Sequence, residues 1–165
     1  MSLRRVLIAN RGEIAIRIAR ACRESAIESV AVYSDADHDA PHVRVADRAV
    51  RIGPAPSLES YLSIPAIVDA ARSTGCDAVH PGWGFLAENP AFALACEESD
   101  LVFVGPTPDV MARMGDKAQA KREMRAAGVP LVPGTDGTAT VEQARASALE
   151  LGFPVLLKAA SGGGG

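Results

Sequence analysis

Lys158 and four consecutive glycines, Gly162 to Gly165, follow directly on an apolar run, Phe153-Pro154-Val155-Leu156-Leu157. A glycine run costs backbone entropy and packs no core. It gains a purpose where backbone N–H groups wrap around phosphate oxygens while a lysine supplies positive charge. The order strand, lysine, glycine loop therefore points to phosphate binding, with a flexible linker as the competing reading. It is not a P-loop, because the lysine precedes the glycines and no Gly-Lys-Ser/Thr follows. Lys117, taken singly, reads as surface charge.

A second chemical segment is His80-Pro81-Gly82-Trp83-Gly84-Phe85-Leu86-Ala87-Glu88-Asn89. It follows a short apolar strand, at the edge where open α/β sheets bind ligands. Two glycines flank the only tryptophan of the chain. Two readings stay open: a binding loop, or a packed turn with Trp83 over the core and Glu88 near a helix start.

Two further patterns fail on inspection. The turn after the first strand holds Asn10, Gly12 and Ala15 where a dinucleotide fingerprint wants G-x-G-x-x-G/A, so its first glycine is missing. Asp35, Asp37 and Asp39, with His38 and His42, resemble the opening of a calcium loop. Its sixth position is Ala40 rather than glycine and its twelfth Ala46 rather than glutamate. A solvated loop is the reading that remains, and no metal site is expected.

The elements that must position these residues alternate strand and helix. Strands are read at 5–9, 29–33, 49–52, 77–80 and 101–105. Helices are read at 13–26, with Ile14, Ile18, Ala21, Cys22 and Ser25 on one face, then after the Ser63 cap, and after Asn89-Pro90. Apolar strands separated by helices predict an α/β domain, a Rossmann-like parallel sheet with helices on both faces, over residues 1–115. Residues 116–165 then begin a second domain: a helix over 117–127, a proline-rich extended stretch to Gly134, a capping box at Thr140 and Gln143, and a strand over 153–158.

Composition sets limits. With 48% apolar residues the 165-residue chain is globular rather than disordered. A net charge of -3 gives no reason to expect nucleic acid as a partner, and no apolar run approaches the ~20 residues of a membrane span. Cys22, Cys76 and Cys96 are odd in number and far apart, which predicts buried free thiols in a reducing cytoplasm.

Taken together, Val6 to Ala15, Gly53-Pro54-Ala55-Pro56-Ser57, Ser60-Tyr61-Leu62, His80 to Asn89, Met114-Gly115-Asp116-Lys117 and Lys158 to Gly165 resemble biotin carboxylases, over essentially the whole chain and in order. These are the biotin-charging domains of acetyl-, propionyl- and methylcrotonyl-CoA carboxylases, pyruvate carboxylase and urea carboxylase. The resemblance implies a Rossmann-like domain followed by the truncated start of an ATP-grasp domain. ATP and Mg2+ would activate bicarbonate, and biotin on a carrier protein would be carboxylated. Lys117 and Lys158 match ATP-contacting lysines. Gly162, Gly163, Gly164 and Gly165 match the mobile loop over ATP. Trp83 and Glu88 fall on the biotin side, Trp83 where bacterial members usually carry tyrosine, which keeps the aromatic surface without the hydroxyl. Arg20 and Glu24 match helix positions used at a homodimer interface. The implied partners are the biotin carboxyl carrier protein and a carboxyltransferase. In the family the part beyond Gly165 carries the magnesium-binding glutamates, the general base and an arginine facing biotin, so the 165-residue chain is expected to be silent alone. The competing readings are another ATP-grasp ligase of the carbamoyl phosphate synthetase kind, and a non-catalytic Rossmann-like interaction module.

Overall fold

The structure, a computed structural model, describes residues 2–115, 117–135, 137 and 140–157, and for Lys117 the backbone alone. Five parallel strands are ordered β3-β2-β1-β4-β5: β1 (Arg5–Ile8), β2 (Glu28–Ser34), β3 (Arg48–Gly53), β4 (Ala78–His80) and β5 (Val102–Phe103). The helices between them are α1 (Gly12–Glu24), α2 (Pro41–Val45), α3 (Ile64–Ser73) and α4 (Pro90–Glu97). Starting from β1, the sheet grows outward through β2 and β3, then reverses to β4 and β5. The reversal lies between β1 and β4.

Period-two alternation along β1 explains why both faces are covered. Leu7 and Ala9 point to one side, where Val30, Val32 and Val79 join Ile67 and Ala71 of α3 and Phe92 and Cys96 of α4. Val6 and Ile8 point to the other, against Ala15, Ile18, Ala19 and Cys22 of α1. The buried stripe of α1 is thus 15-18-19-22, and Ser25, expected on that face, is an exposed C-cap. Phe92 is fully buried and meets Phe103 edge-on at 5.7 Å. Truncation of such a side chain to Ala costs about 3–5 kcal/mol. All three cysteines are buried and free.

Two helix starts use the caps read from sequence. Ser63 Oγ accepts from Ala66 N at 3.4 Å, and Asn89 Oδ1 accepts from Ala91 N at 2.9 Å, with Pro90 opening α4. The polar stretch after β2 is more structured than a solvated loop: a 3-10 turn (Asp35–Asp37) precedes α2, whose His42 is buried with Nε2 3.1 Å from Val32 O.

The amino edge of the sheet is tied by charge. Glu28 pairs with Arg5 and with Arg48, both at 2.7 Å, bridging the starts of β1, β2 and β3. Asp77 accepts from the N–H groups of Arg4 and Arg5 at 3.0 and 3.1 Å. Asp47 accepts from Ser29 N and Oγ at 2.8 and 2.6 Å.

The chain divides into two compact units, 1–109 and 110–165. The second holds most of α5 (Pro108–Gly115), together with α6 (Lys117–Ala126) and α7 (Val141–Leu151). Arg113 and Glu123 pair at 2.6 Å, and Gln119 reaches Glu123 from one turn away. Thr140 and Gln143 form both bonds of the capping box at α7. The strand expected over 153–158 is not formed: residues 153–157 are irregular, and Lys158 lies outside the described residues. A strand exists through its ladder, and no described segment pairs with 153–157. Phe153, Leu156 and Leu157 are accordingly exposed.

Candidate functional site

Where the sheet order reverses, the loops leaving β1 and β4 diverge and open a crevice, the place at which open parallel sheets take ligands. Here the crevice is a cavity of about 500 Å3, lined by residues 10–14 from the first loop and Trp83, Gly84 and Phe85 from the second. Its size falls in the range of small-molecule sites. Trp83 is 67% exposed, which excludes the reading of a tryptophan packed over the core.

Asn10 stands where the fingerprint's first glycine is missing, and the structure gives the replacement a task. It is buried, its Nδ2 donates to Pro81 O at 2.8 Å and Trp83 O at 2.9 Å, and its Oδ1 accepts from Arg11 N at 2.9 Å. The side chain therefore joins the two loops at the floor of the cavity. Gly82 adopts φ +67° beside it, and a Cβ there would come within 2.7 Å of Asn10 Nδ2. Next to this join, Gly82 N donates to His80 Nδ1 at 3.0 Å. That nitrogen is therefore an acceptor, and burial lowers the His80 pKa, so the ring is neutral.

Arg11 extends from the start of α1 over the ring of Tyr61, 5.9 Å from its centroid, and its Nη1 donates to Asp37 Oδ1 at 2.9 Å. Tyr61 Oη donates to Asp37 Oδ2 at 2.7 Å and accepts from Ser34 N at 3.1 Å. Burial and the adjacent carboxylate push the Tyr61 phenol up to about 12. Burial opposes ionisation of Asp37, yet the Tyr61 hydroxyl, Arg11 and Ser34 hold its carboxyl below the usual value. The Tyr61 ring lies nearly parallel to that of Phe85, centroids 5.1 Å apart.

An aromatic surface, a guanidinium and the first N–H groups of α1 suit recognition of a small, flat polar group. Among the cavity's lining residues Glu13 is the one carboxylate, and no cluster of three His, Cys, Asp or Glu able to hold a metal is present among the described residues.

Of the residues expected from sequence to do chemistry, Trp83 enters this cavity. Glu88 is exposed and is not one of its lining residues. Lys117 begins α6, with its side chain outside the description, and Lys158, Gly162, Gly163, Gly164 and Gly165 lie outside the described residues. Arg20 and Glu24 are exposed on α1. Reading the sequence missed Asp37, Tyr61 and Arg11 as a group. The available signal was the run of alternating aspartates, which resembles a calcium loop and is set aside because Ala40 and Ala46 fail that pattern.

The family description "Biotin carboxylase, N-terminal domain" matches residues 2–111, two thirds of the chain. The chain belongs to the biotin carboxylase family. A second description, "Carbamoyl-phosphate synthase L chain, ATP binding domain", matches residues 116–165. Biotin carboxylase 1 of Bacillus subtilis is 56% identical over 99% of this chain and 36% of its own length. The biotin carboxylase domain of Hydrogenobacter thermophilus 2-oxoglutarate carboxylase, solved as a dimer with MgADP, ADP and bicarbonate, superposes with TM-score 0.90 at 52% identity, over 99% of this chain and 36% of that one. Campylobacter jejuni biotin carboxylase, solved with a β,γ-ATP ligand, gives TM-score 0.91 at 48% identity, over 99% and 37%. The chain thus spans little more than a third of the biotin carboxylases it matches.

Proposed function

We propose that the protein containing this chain is an ATP-dependent ligase that carboxylates biotin on a carrier protein, using bicarbonate. The observation that carries the proposal is the tandem match, a biotin carboxylase N-terminal domain followed without a gap of more than a few residues by an ATP-binding domain. The magnesium, ADP and bicarbonate in the Hydrogenobacter structure support the same chemistry. ATP supplies the phosphoryl group that makes bicarbonate reactive.

Within this chain the roles divide. Lys117, Lys158 and the Gly162 to Gly165 loop are the proposed ATP contacts, lysines for phosphate charge and glycine N–H groups for phosphate oxygens. The cavity between the β1 and β4 loops is the proposed acceptor side, where Trp83 would offer the ureido ring of biotin a flat apolar face, with exposed Glu88 as a second proposed biotin-side residue. Arg20 and Glu24, exposed on α1, are the proposed homodimer contacts. The carrier and a carboxyltransferase are the proposed partners, in the cytoplasm.

Phosphate release from Mg-ATP and bicarbonate, with and without free biotin, tests this on the full-length protein and on the 165-residue chain. Biotin-stimulated release from the full-length protein alone is the expected result. Release stimulated by a different acceptor would favour an ATP-grasp ligase of another kind, and silence of the full-length protein would favour an interaction module.

A further inference from the structure

We infer that Asp37 is a positioning residue for the acceptor-side cavity, setting Arg11 directly and Phe85 through Tyr61; the inference rests on the reading of that cavity as the biotin side. Asp37 leaves the 3-10 turn after β2 and does not line the cavity itself. Its side chain is only 14% exposed, and its carboxylate receives three groups from three parts of the chain. Arg11 arrives from the β1 loop at 2.9 Å, Ser34 Oγ from the end of β2 at 3.3 Å, and Tyr61 Oη from beyond β3 at 2.7 Å.

Each connection then reaches the cavity. Arg11 is itself a lining residue, half-exposed, and the bond to Asp37 selects one placement from the many its long side chain could take. Tyr61 has its hydroxyl fixed on both sides, by Asp37 and by Ser34 N, so the plane of its ring is set. That ring stacks on Phe85, a residue of the opposite wall. One carboxylate thus controls a residue on each wall. Asp35, two residues earlier, makes a useful contrast: it pairs with Arg51 on the surface, at 2.6 Å, and bonds to no lining residue.

The test uses the full-length protein, with Asp37→Asn, Tyr61→Phe, Trp83→Ala and Asp35→Asn, reading KM for free biotin, KM for ATP, kcat and Tm. Tyr61→Phe keeps the stacked ring and removes only the hydroxyl, so it serves even where Asp37→Asn folds poorly. Expected are a rise in biotin KM of about tenfold for Asp37→Asn, which weakens the bonds to Arg11, Ser34 and Tyr61 together, and about threefold for Tyr61→Phe, which removes the bonds of one hydroxyl and leaves Arg11 on Asp37. KM for ATP should move by less than about twofold, and Asp35→Asn should match wild type. If Trp83→Ala raises biotin KM while Asp37→Asn and Tyr61→Phe do not, Asp37 positions nothing and the cavity reading stands. If Trp83→Ala also leaves biotin KM unchanged, the cavity is not the biotin side and the inference falls with it. Equal rises in biotin and ATP KM, tracking a fall in Tm, would reduce Asp37 to a fold-stabilising role and overturn the inference.

Discussion

The two edges of the sheet are built from similar residue types and reach opposite results. At the amino edge, Arg5, Glu28 and Arg48 neutralise one another, while Asp77 and Asp47 are consumed by backbone N–H groups of neighbouring strands. At the carboxyl edge, Arg11 and Asp37 pair as well, but around an open cavity and beside exposed Trp83. An ion pair by itself therefore says little about function. What separates the edges is whether the pair closes a surface or holds one open.

The sharpest way to break this contrast is at Asn10. Asn10→Ala strips the donors from two carbonyls and should lower unfolding free energy by about 2–3 kcal/mol, read by denaturant titration, while raising biotin KM in the full-length protein. An unchanged biotin KM would show that the two loops keep their places without the side chain. Next in size is Asp77→Ala at the opposite edge. It should cost about 1 kcal/mol through the orphaned N–H groups of Arg4 and Arg5, with no change in biotin KM. A shift in biotin KM there would mean that the edges are coupled and the comparison fails.

Acid should weaken the amino edge. Hydrogen bonds from backbone N–H groups and Arg4 outweigh burial and lower the Asp77 pKa, and Ser29 does the same for Asp47. A carboxyl whose folded pKa is depressed contributes stability that is complete above the unfolded value, about 3.9, and is lost as pH falls through and below it. Tm should therefore drop as pH is lowered through that value, and more shallowly in Asp77→Asn. The smallest effect is expected at Asp35→Ala, where loss of an exposed pair leaves Tm within error.

Local rules made much of the fold readable. Strand and helix alternation, the Ser63 and Asn89 caps and the Thr140/Gln143 box depend on neighbours in sequence, and the structure forms them. The failures were nonlocal. The Asp37–Tyr61 bond spans 24 residues, which no spacing rule marks. Five-residue α2 sits among acids and hides buried His42, because one short turn carries too little periodicity. The segment 153–157 has the composition of a strand, but composition does not provide a ladder. Loss of the fingerprint glycine was visible at Asn10; its replacement by a bridge between loops was not.

That bridge has a consequence for selectivity. Both amide protons and the carbonyl of Asn10 are occupied before any ligand arrives. The floor of the cavity is consequently preorganised, and an occupant of the right thickness binds without an added reorganisation cost. A thicker one meets walls that separate only when two hydrogen bonds, one buried and one half-buried, break together. Discrimination at this site should come from rejection of bulk more than from attraction to a particular group, so that a series of ring analogues of increasing thickness would lose affinity in a step, without a gradual decline.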